Sequence, residues 1–341
     1  MELPPIPGPR LRPYKSPDGI VTPHIEFIQE LGQGLHSIVW KVKMNGKAFA
    51  LKLFKRMSVS DNMYRADMPG SGKMDYFGLD WDTITYQCLP FFSECRVYGR
   101  LKETRNEDLA VKCYGYLILD ESYSESMRKA GIKERCLIDD DYFWQWPEED
   151  APPSPYPARA LVKELMDPEV TFLPGDVARM KRDLVRLHRI GIVQGDIKQD
   201  AYLNARLTDF SRSRTVPHFL LDKALAYLSI KKIEAHTIND YFHFDEQLDC
   251  YDLGGGPRID DRILLQTSRY NLRKAPSRAE MERRSIKFFA DRYKWKPSPE
   301  DVVAFGLKKE KSTKWLRGKG NDKTEEVPCE AREELVSSSE I

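Results

Sequence analysis

The stretch from Phe27 to Lys55, FIQELGQGLHSIVWKVKMNGKAFALKLFK, constrains the fold more than any other part of the chain. Ile38, Trp40 and Val42 fall on one period-2 face, and Phe49, Leu51 and Leu53 repeat the pattern after Asn45-Gly46. Side chains alternate faces along a strand, and Asn-Gly readily supplies the positive φ values of a tight hairpin. The stretch therefore reads as strand, glycine loop, strand, hairpin, strand. One charged residue, Lys52, interrupts the apolar run of the third strand. An ammonium at such a position is costly to bury without a partner.

After Pro90, FFSECRVYGRLKE places Phe91, Cys95, Tyr98 and Leu101 at helical spacing. LAVKCYGYLIL (109–119) and RALVKELM (159–166) read as strands. GDVARMKRDLVRLHRIGIV (175–193) reads as a helix, with Val177, Met180, Leu184 and Leu187 on one face and Gly191 at the C-cap position. Two short strand-like pieces surround GDIKQDAYLNARLTDFS, and helical segments are expected at 219–233 and 278–292. Residues 56–87 and 120–157 are polar or charged and read as insertions. Residues 1–23 are rich in Pro and basic side chains and read as an extended arm.

This order predicts an α+β chain of two lobes. Residues 24–166 form a small, mainly β lobe with one key helix, and 167–257 a reduced, mainly α lobe. A basic, partly helical segment (258–323) and an acidic, disordered tail (324–341) follow.

The net charge of +1 hides an asymmetry. Residues 258–323 hold 19 Lys+Arg against 9 Asp+Glu, a net of +10, while 1–257 carry −4 and 324–341 carry −5. Coating of nucleic acid by the whole surface is excluded, but the basic segment, with its interleaved Tyr270, Phe288, Trp295 and Trp315, leaves binding of nucleic acid or an acidic partner open. A solvated tail explains the same charges. Six scattered cysteines show no disulfide framework or zinc spacing. No secretory h-region and no apolar run of about 18 residues is found. An intracellular protein, nuclear or cytoplasmic and not in a membrane, is expected.

Gly32-Gln33-Gly34-Leu35-His36-Ser37 lies between strands, and Ala50-Leu51-Lys52 follows. Glycines let backbone N–H groups approach phosphate oxygens, and a strand lysine can reach the same phosphates. Glu94, on the next helix, is the natural partner for Lys52. Later come Asp196, Lys198 and the sequence Asp209-Phe210-Ser211. The first Asp and the Lys can orient a hydroxyl and neutralise a transferring phosphate, and the second Asp can hold Mg²⁺ through hard oxygen. Each residue taken alone is equally a turn Asp or a solvated helix face. Their joint order is what points to phosphate chemistry.

These residues make the chain resemble the protein-kinase fold from about Ile25 to about Asp252. The resemblance implies an ATP site with a phosphate loop at Gly32, Gly34 and Ser37, Val39 and Ala50 beside the nucleotide, and Lys52 paired with Glu94. It implies a hinge over Glu164 to Pro168, with Glu164 and Met166 against the base. Asp196 would be the catalytic aspartate, Lys198 its neighbour, and Asp209 the Mg²⁺ ligand. The departures are equally plain. Gln194-Gly195 stands where the family has His-Arg, Ala201 where it has a metal-binding Asn, and Ser211 where it has Gly. Asp200 and Asn204 are the nearest oxygen donors to Ala201 in sequence, and no Ala-Pro-Glu follows.

The phrases ELGQGLHSIVWKV, ECRVYGRLKE, RLHRIGIVQGDI and LTDFSRSRTVPH are similar to a divergent fungal kinase-like family named for an inner-kinetochore complex subunit. Three functions stay open. One is a pseudokinase acting through protein partners, with or without bound nucleotide. The second is an active ATP–Mg²⁺ phosphotransferase, and the third is binding through 258–323. The oligomeric state is left open.

Overall fold

Strands β1 (Glu26–Gln33), β2 (Ser37–Met44) and β3 (Lys47–Phe54) form an antiparallel meander. Asn45 and Gly46 take φ of 48° and 78° at the hairpin, which these two residue types tolerate better than most. Ile38, Trp40 and Val42 lie directly opposite Leu53, Leu51 and Phe49, so both period-2 faces merge into one apolar surface. This computed structural model describes residues 3–16, 19, 23–57, 81–132, 137, 157–167, 174–198, 201–221, 239–244, 246–247 and 299. Most of the insertions, the helix expected at 278–292, the tail 324–341 and all of 258–323 except Pro299 lie outside these residues. Of the helix expected at 219–233, only 219–221 lie within them, as a turn.

β4 (Cys113–Leu119) and β5 (Ala158–Lys163) complete a sheet of order β1-β2-β3-β5-β4. The strand expected at 109–119 starts at Cys113, after a single 3-10 turn at Glu107–Leu109. The strand expected at 159–166 stops at Lys163, where the chain leaves β3. Beyond it, the Glu164 N–H donates to the Lys112 carbonyl. The helices are α1 (Trp81–Cys88), α2 (Pro90–Glu103), α3 (Ser124–Lys129) and α4 (Pro174–Arg189). Gly191, at φ 78°, turns the chain out of α4 into the short strand β6 (Ile192–Val193), so the helix is shorter than 175–193. β6 pairs with β9 (Arg214–Thr215), and β7 (Tyr202–Leu203) pairs with β8 (Arg206–Leu207). The fold is mixed α+β. Among the described residues, no helix is long and apolar enough to cross a membrane.

Two cores lie on opposite faces of the sheet. One joins the hairpin residues to Leu117, Leu119, Tyr123 and Met127. The other runs from α2 through Tyr116 and Leu161 to Val177, Leu184 and Leu187 of α4, and on to Phe210 and Phe244. Helix α2 is therefore an interior element, buried from Pro90 through Leu101. Two of its buried side chains are arginines. Arg100 donates to the carbonyls of Ile190 (2.6 Å) and Val216 (2.5 Å), and Arg96 to those of Thr215 (3.0 Å), Pro7 (3.3 Å) and Pro217. Burial lowers the Arg96 guanidinium to about 10, still charged at neutral pH.

The N-terminal arm is a strap across this helix. Leu3, Ile6, Leu11 and Tyr14 are buried, and the Tyr14 N–H donates to the carbonyl of Tyr116 on the edge strand (2.8 Å). Gly99 lets the arm approach. A Cβ there would lie 2.6 Å from the Arg10 backbone nitrogen. Gly99→Ala is expected to cost about 1–3 kcal/mol through overpacking. A urea midpoint equal to wild type would show that the strap yields freely.

His218 is buried between α1 and the 190–221 segment. Its Nε2–H donates to the Gln87 carbonyl (3.0 Å), and its Nδ1 accepts from the Leu220 N–H (3.1 Å), which fixes the neutral tautomer. Burial, then the nearby Arg214 and Arg96 charges, holds the imidazole well below its usual range. The unfolded chain takes up this proton near pH 6.5 and the folded chain does not. Stability should therefore be full above that pH and fall by about 1.4 kcal/mol per pH unit below it. Urea titrations at pH 5–7 should show this slope in wild type and lose it in His218→Gln.

Candidate functional site

Alternation along β3 sends Leu51 and Leu53 into the outer core and Lys52 to the opposite face. There it is opposite Val39 of β2 and Leu161 of β5. Lys163, two residues beyond Leu161, shares that face. Glu94 projects from α2 between the two lysines. Its Oε1 pairs with Lys52, and its Oε2 accepts from Lys163 Nζ at 2.7 Å. Lys52 also donates to Asp209 Oδ1 at 2.9 Å, and Lys163 to the Thr208 carbonyl at 2.6 Å. Glu94 is 0% exposed and each lysine 4%, whereas the Asp209 side chain keeps 31% of its surface. Two cations and two carboxylates thus balance in a space where a lone charge would be prohibitive.

Burial alone would raise the Asp209 carboxyl. The Lys52 ammonium and the Ser211 N–H (2.8 Å) outweigh it and hold the group far below the usual carboxylate range. It is an anion at any working pH. Phe210 beside it is fully buried and meets Tyr98 of α2 edge-on, with ring centroids 5.4 Å apart.

The segment after β6 is built around Gln194. Its Nε2 donates to the Asp209 carbonyl (2.9 Å), and its Oε1 accepts from the Asp196 N–H (2.5 Å). Asp240, fully buried, accepts from the backbone N–H groups of Gln194 and Gly195, both at 2.8 Å, and meets His188 Nε2 at 2.8 Å. Gly195, at φ 79°, is required twice over, since a Cβ there would also lie 2.7 Å from the Arg212 carbonyl oxygen. Asp196 and Lys198 are partly exposed, with Lys198 Nζ 3.6 Å from Asp196 Oδ2. Ala201 is fully buried, its N–H on the Lys198 carbonyl (3.0 Å) and its carbonyl on the Thr208 N–H (2.8 Å). The Asn204 amide donates to the Asp167 carbonyl (3.0 Å), and Asp200 lies outside the described residues.

Above this cluster is the β1–β2 loop. Gly34 N–H donates to the Ser37 carbonyl (2.8 Å), and neither Gly32 nor Gly34 has a positive φ. Among the described residues, a Cβ on Gly32 would meet nothing within 4 Å, and one on Gly34 only the Ser37 carbonyl at 4.0 Å. Ser37 is buried, and the adjacent His36 reaches Ser211 Oγ at 3.0 Å, tying the loop to the Asp209 segment. Val39, Ala50, Glu164 and Met166 are half-buried, the last two just after β5.

The structure therefore joins Lys52, Glu94 and Asp209 directly, and brings Asp196 to Asp209 through Gln194. Lys163, Asp240, His188 and His36 are members of the network that the sequence reading missed. A lysine within LVKELM was a visible signal. Asp240, 46 residues after Gln194, carried none. The chemical capacity of the cluster is an ammonium and a partly exposed carboxylate under an open glycine loop. Among the described residues no group of three or more His, Cys, Asp or Glu side chains could hold a metal ion, and Asp209 offers a single carboxylate beside the methyl of Ala201. A separate cavity of about 650 Å³ lies away from it, lined by Arg179, Arg182, Arg186, Arg206 and the carboxylates Asp108 and Asp183.

The fold and cluster thus define an α+β protein with a buried lysine–carboxylate centre. Residues 1–214 match the family described as Kinetochore Sim4 complex subunit FTA2, and the chain belongs to that family. No curated protein matches it. Removing the central carboxylate tests the charge balance. Glu94→Gln leaves two buried ammoniums facing Asp209 alone and should cost about 3–5 kcal/mol. Urea denaturation measures this, and a loss below about 1 kcal/mol, the scale of an exposed pair, would contradict the arrangement.

Proposed function

We propose that the chain is a bilobal, protein-kinase-like module of a kinetochore assembly, a pseudokinase that keeps a nucleotide-binding cleft and works through protein contacts. The observation that carries this reading is the convergence of Lys52, Glu94 and Asp209 beside a buried Ala201. The first three are the parts needed to grip phosphates and one Mg²⁺. At Ala201 a side-chain oxygen would be needed for a second metal, and the site has a methyl group instead.

Gln194 supports the same reading from the other side. It binds the Asp209 carbonyl and the Asp196 N–H, so the loop is held in shape without the His-Arg pair of the kinase pattern. ATP would sit between the β1–β2 loop and the 164–166 linker, with Lys52 on its phosphates and Asp209 on Mg²⁺. Membership of the kinetochore family supports a nuclear place and protein partners.

Millimolar ATP·Mg²⁺ should raise the melting temperature, because a ligand at 100 times its Kd stabilises by about 2.7 kcal/mol. Lys52→Met should weaken binding and shrink the shift, and labelled ATP should yield no phosphate transfer to generic acceptors. No thermal shift at all would overturn the occupied cleft. Transfer that disappears in Asp196→Asn would make the chain a phosphotransferase and overturn the pseudokinase assignment.

A further inference from the structure

Glu94 has two lysine partners where one would neutralise it. The lysines differ in placement. Lys52 reaches Asp209, whose side chain is 31% exposed. Lys163, as buried as Lys52, donates instead to the Thr208 carbonyl and lies over the Tyr98 ring at 5.1 Å. Together its contacts join β5, α2 and the residue preceding Asp209.

Without Lys163, Lys52 would be the one ammonium for two carboxylates. Glu94 is fully buried and Asp209 partly hydrated, so Glu94 has the greater need of a counter-charge. Lys52 would be drawn towards α2 and away from Asp209 and from anything bound there. We infer that Lys163 is a positioning residue that anchors Glu94, and with it α2, so that Lys52 is released to Asp209 and to an anionic ligand in the cleft. Lys163 itself touches no ligand. The inference rests on the nucleotide-binding reading for its ligand, and on the ion-pair geometry alone for its effect on α2.

The test uses the full-length chain with ATP as probe and the variants Lys52→Met, Lys163→Met and the double. Lys163→Met should weaken ATP binding by about tenfold, and the double variant should bind no worse than Lys52→Met alone. Losses that multiply would mark Lys163 as a separate structural contributor and overturn the inference. In hydrogen exchange without nucleotide, Lys163→Met should lose protection across residues 90–103 by about tenfold or more while Lys52→Met keeps it. The opposite pattern, or equal loss, would also overturn it. If wild type binds no ATP, the functional reading fails and the exchange comparison still decides the role of Lys163. If Lys163→Met does not fold, Lys163→Met with Glu94→Gln removes the uncompensated charge. It should fold with the same loss of protection in 90–103, and wild-type protection there would sink the inference.

Discussion

Helix α2 buries three ionised side chains, and the rest of the architecture is arranged to compensate them. Glu94, Arg96 and Arg100 are each 1% exposed or less. None can be left alone in an apolar interior, and each faces a different neighbour. Glu94 needs the sheet, through Lys52 and Lys163. Arg96 needs the 215–217 backbone and the N-terminal arm. Arg100 needs the end of α4 and the Val216 carbonyl. One helix thereby specifies the relative placement of the sheet, the arm and the loop-rich segment after α4. An apolar helix of the same shape can slide or rotate against its neighbours, because dispersion and burial are not directional. Guanidinium and carboxylate groups cannot, since each needs an acceptor or donor at hydrogen-bond distance.

The same logic runs through the loop from Gln194 to Ser213. Its backbone is held by side chains rather than by extended ladders: Asp240 on two successive N–H groups, Gln194 on Asp209 and Asp196, and Ser213 Oγ on the Gln194 carbonyl at 3.0 Å. A neutral amide does this work as a donor and an acceptor at once, where a charged pair would bring desolvation costs of its own. The outcome is an Asp209 held ionised and oriented by its surroundings. The clamp from His36 to Ser211 brings the glycine loop into the same network, because the Ser211 N–H in turn donates to the Asp209 carboxylate.

Much of the fold was legible. The hairpin, α2, α4 and the central strands could be placed because apolar periodicity and the Asn45-Gly46 and Gly191 signals are local. Where the reading slipped, long-range pairing decided the outcome. β5 ends at Lys163 because the chain there leaves β3 and the Glu164 N–H turns to the Lys112 carbonyl, and β6 replaces the end of the expected helix because β9 is there to pair. The arm was read as extended, and its burial depended on Gly99 and Gly115, two glycines whose small size matters only once the Arg10 and Tyr14 backbones lie against them.

For the site, the sequence by itself determined the chemistry on offer. It supplied Lys52 on an apolar strand, a carboxylate on the next helix, Asp209 before a buried phenylalanine, and a methyl group at Ala201. Order and residue type are enough for that, because burial costs demand a counter-charge for Lys52 whatever the fold. Only the tertiary structure decided how the charges are shared. That Glu94 has a second ammonium at Lys163, that Asp240 takes the N–H groups of Gln194 and Gly195, and that His36 reaches Ser211 depend on residues 45 to 175 positions apart meeting within about 3 Å. Hydrogen bonds and buried ion pairs act over that distance alone, so no local pattern in the chain records which partner each group will have.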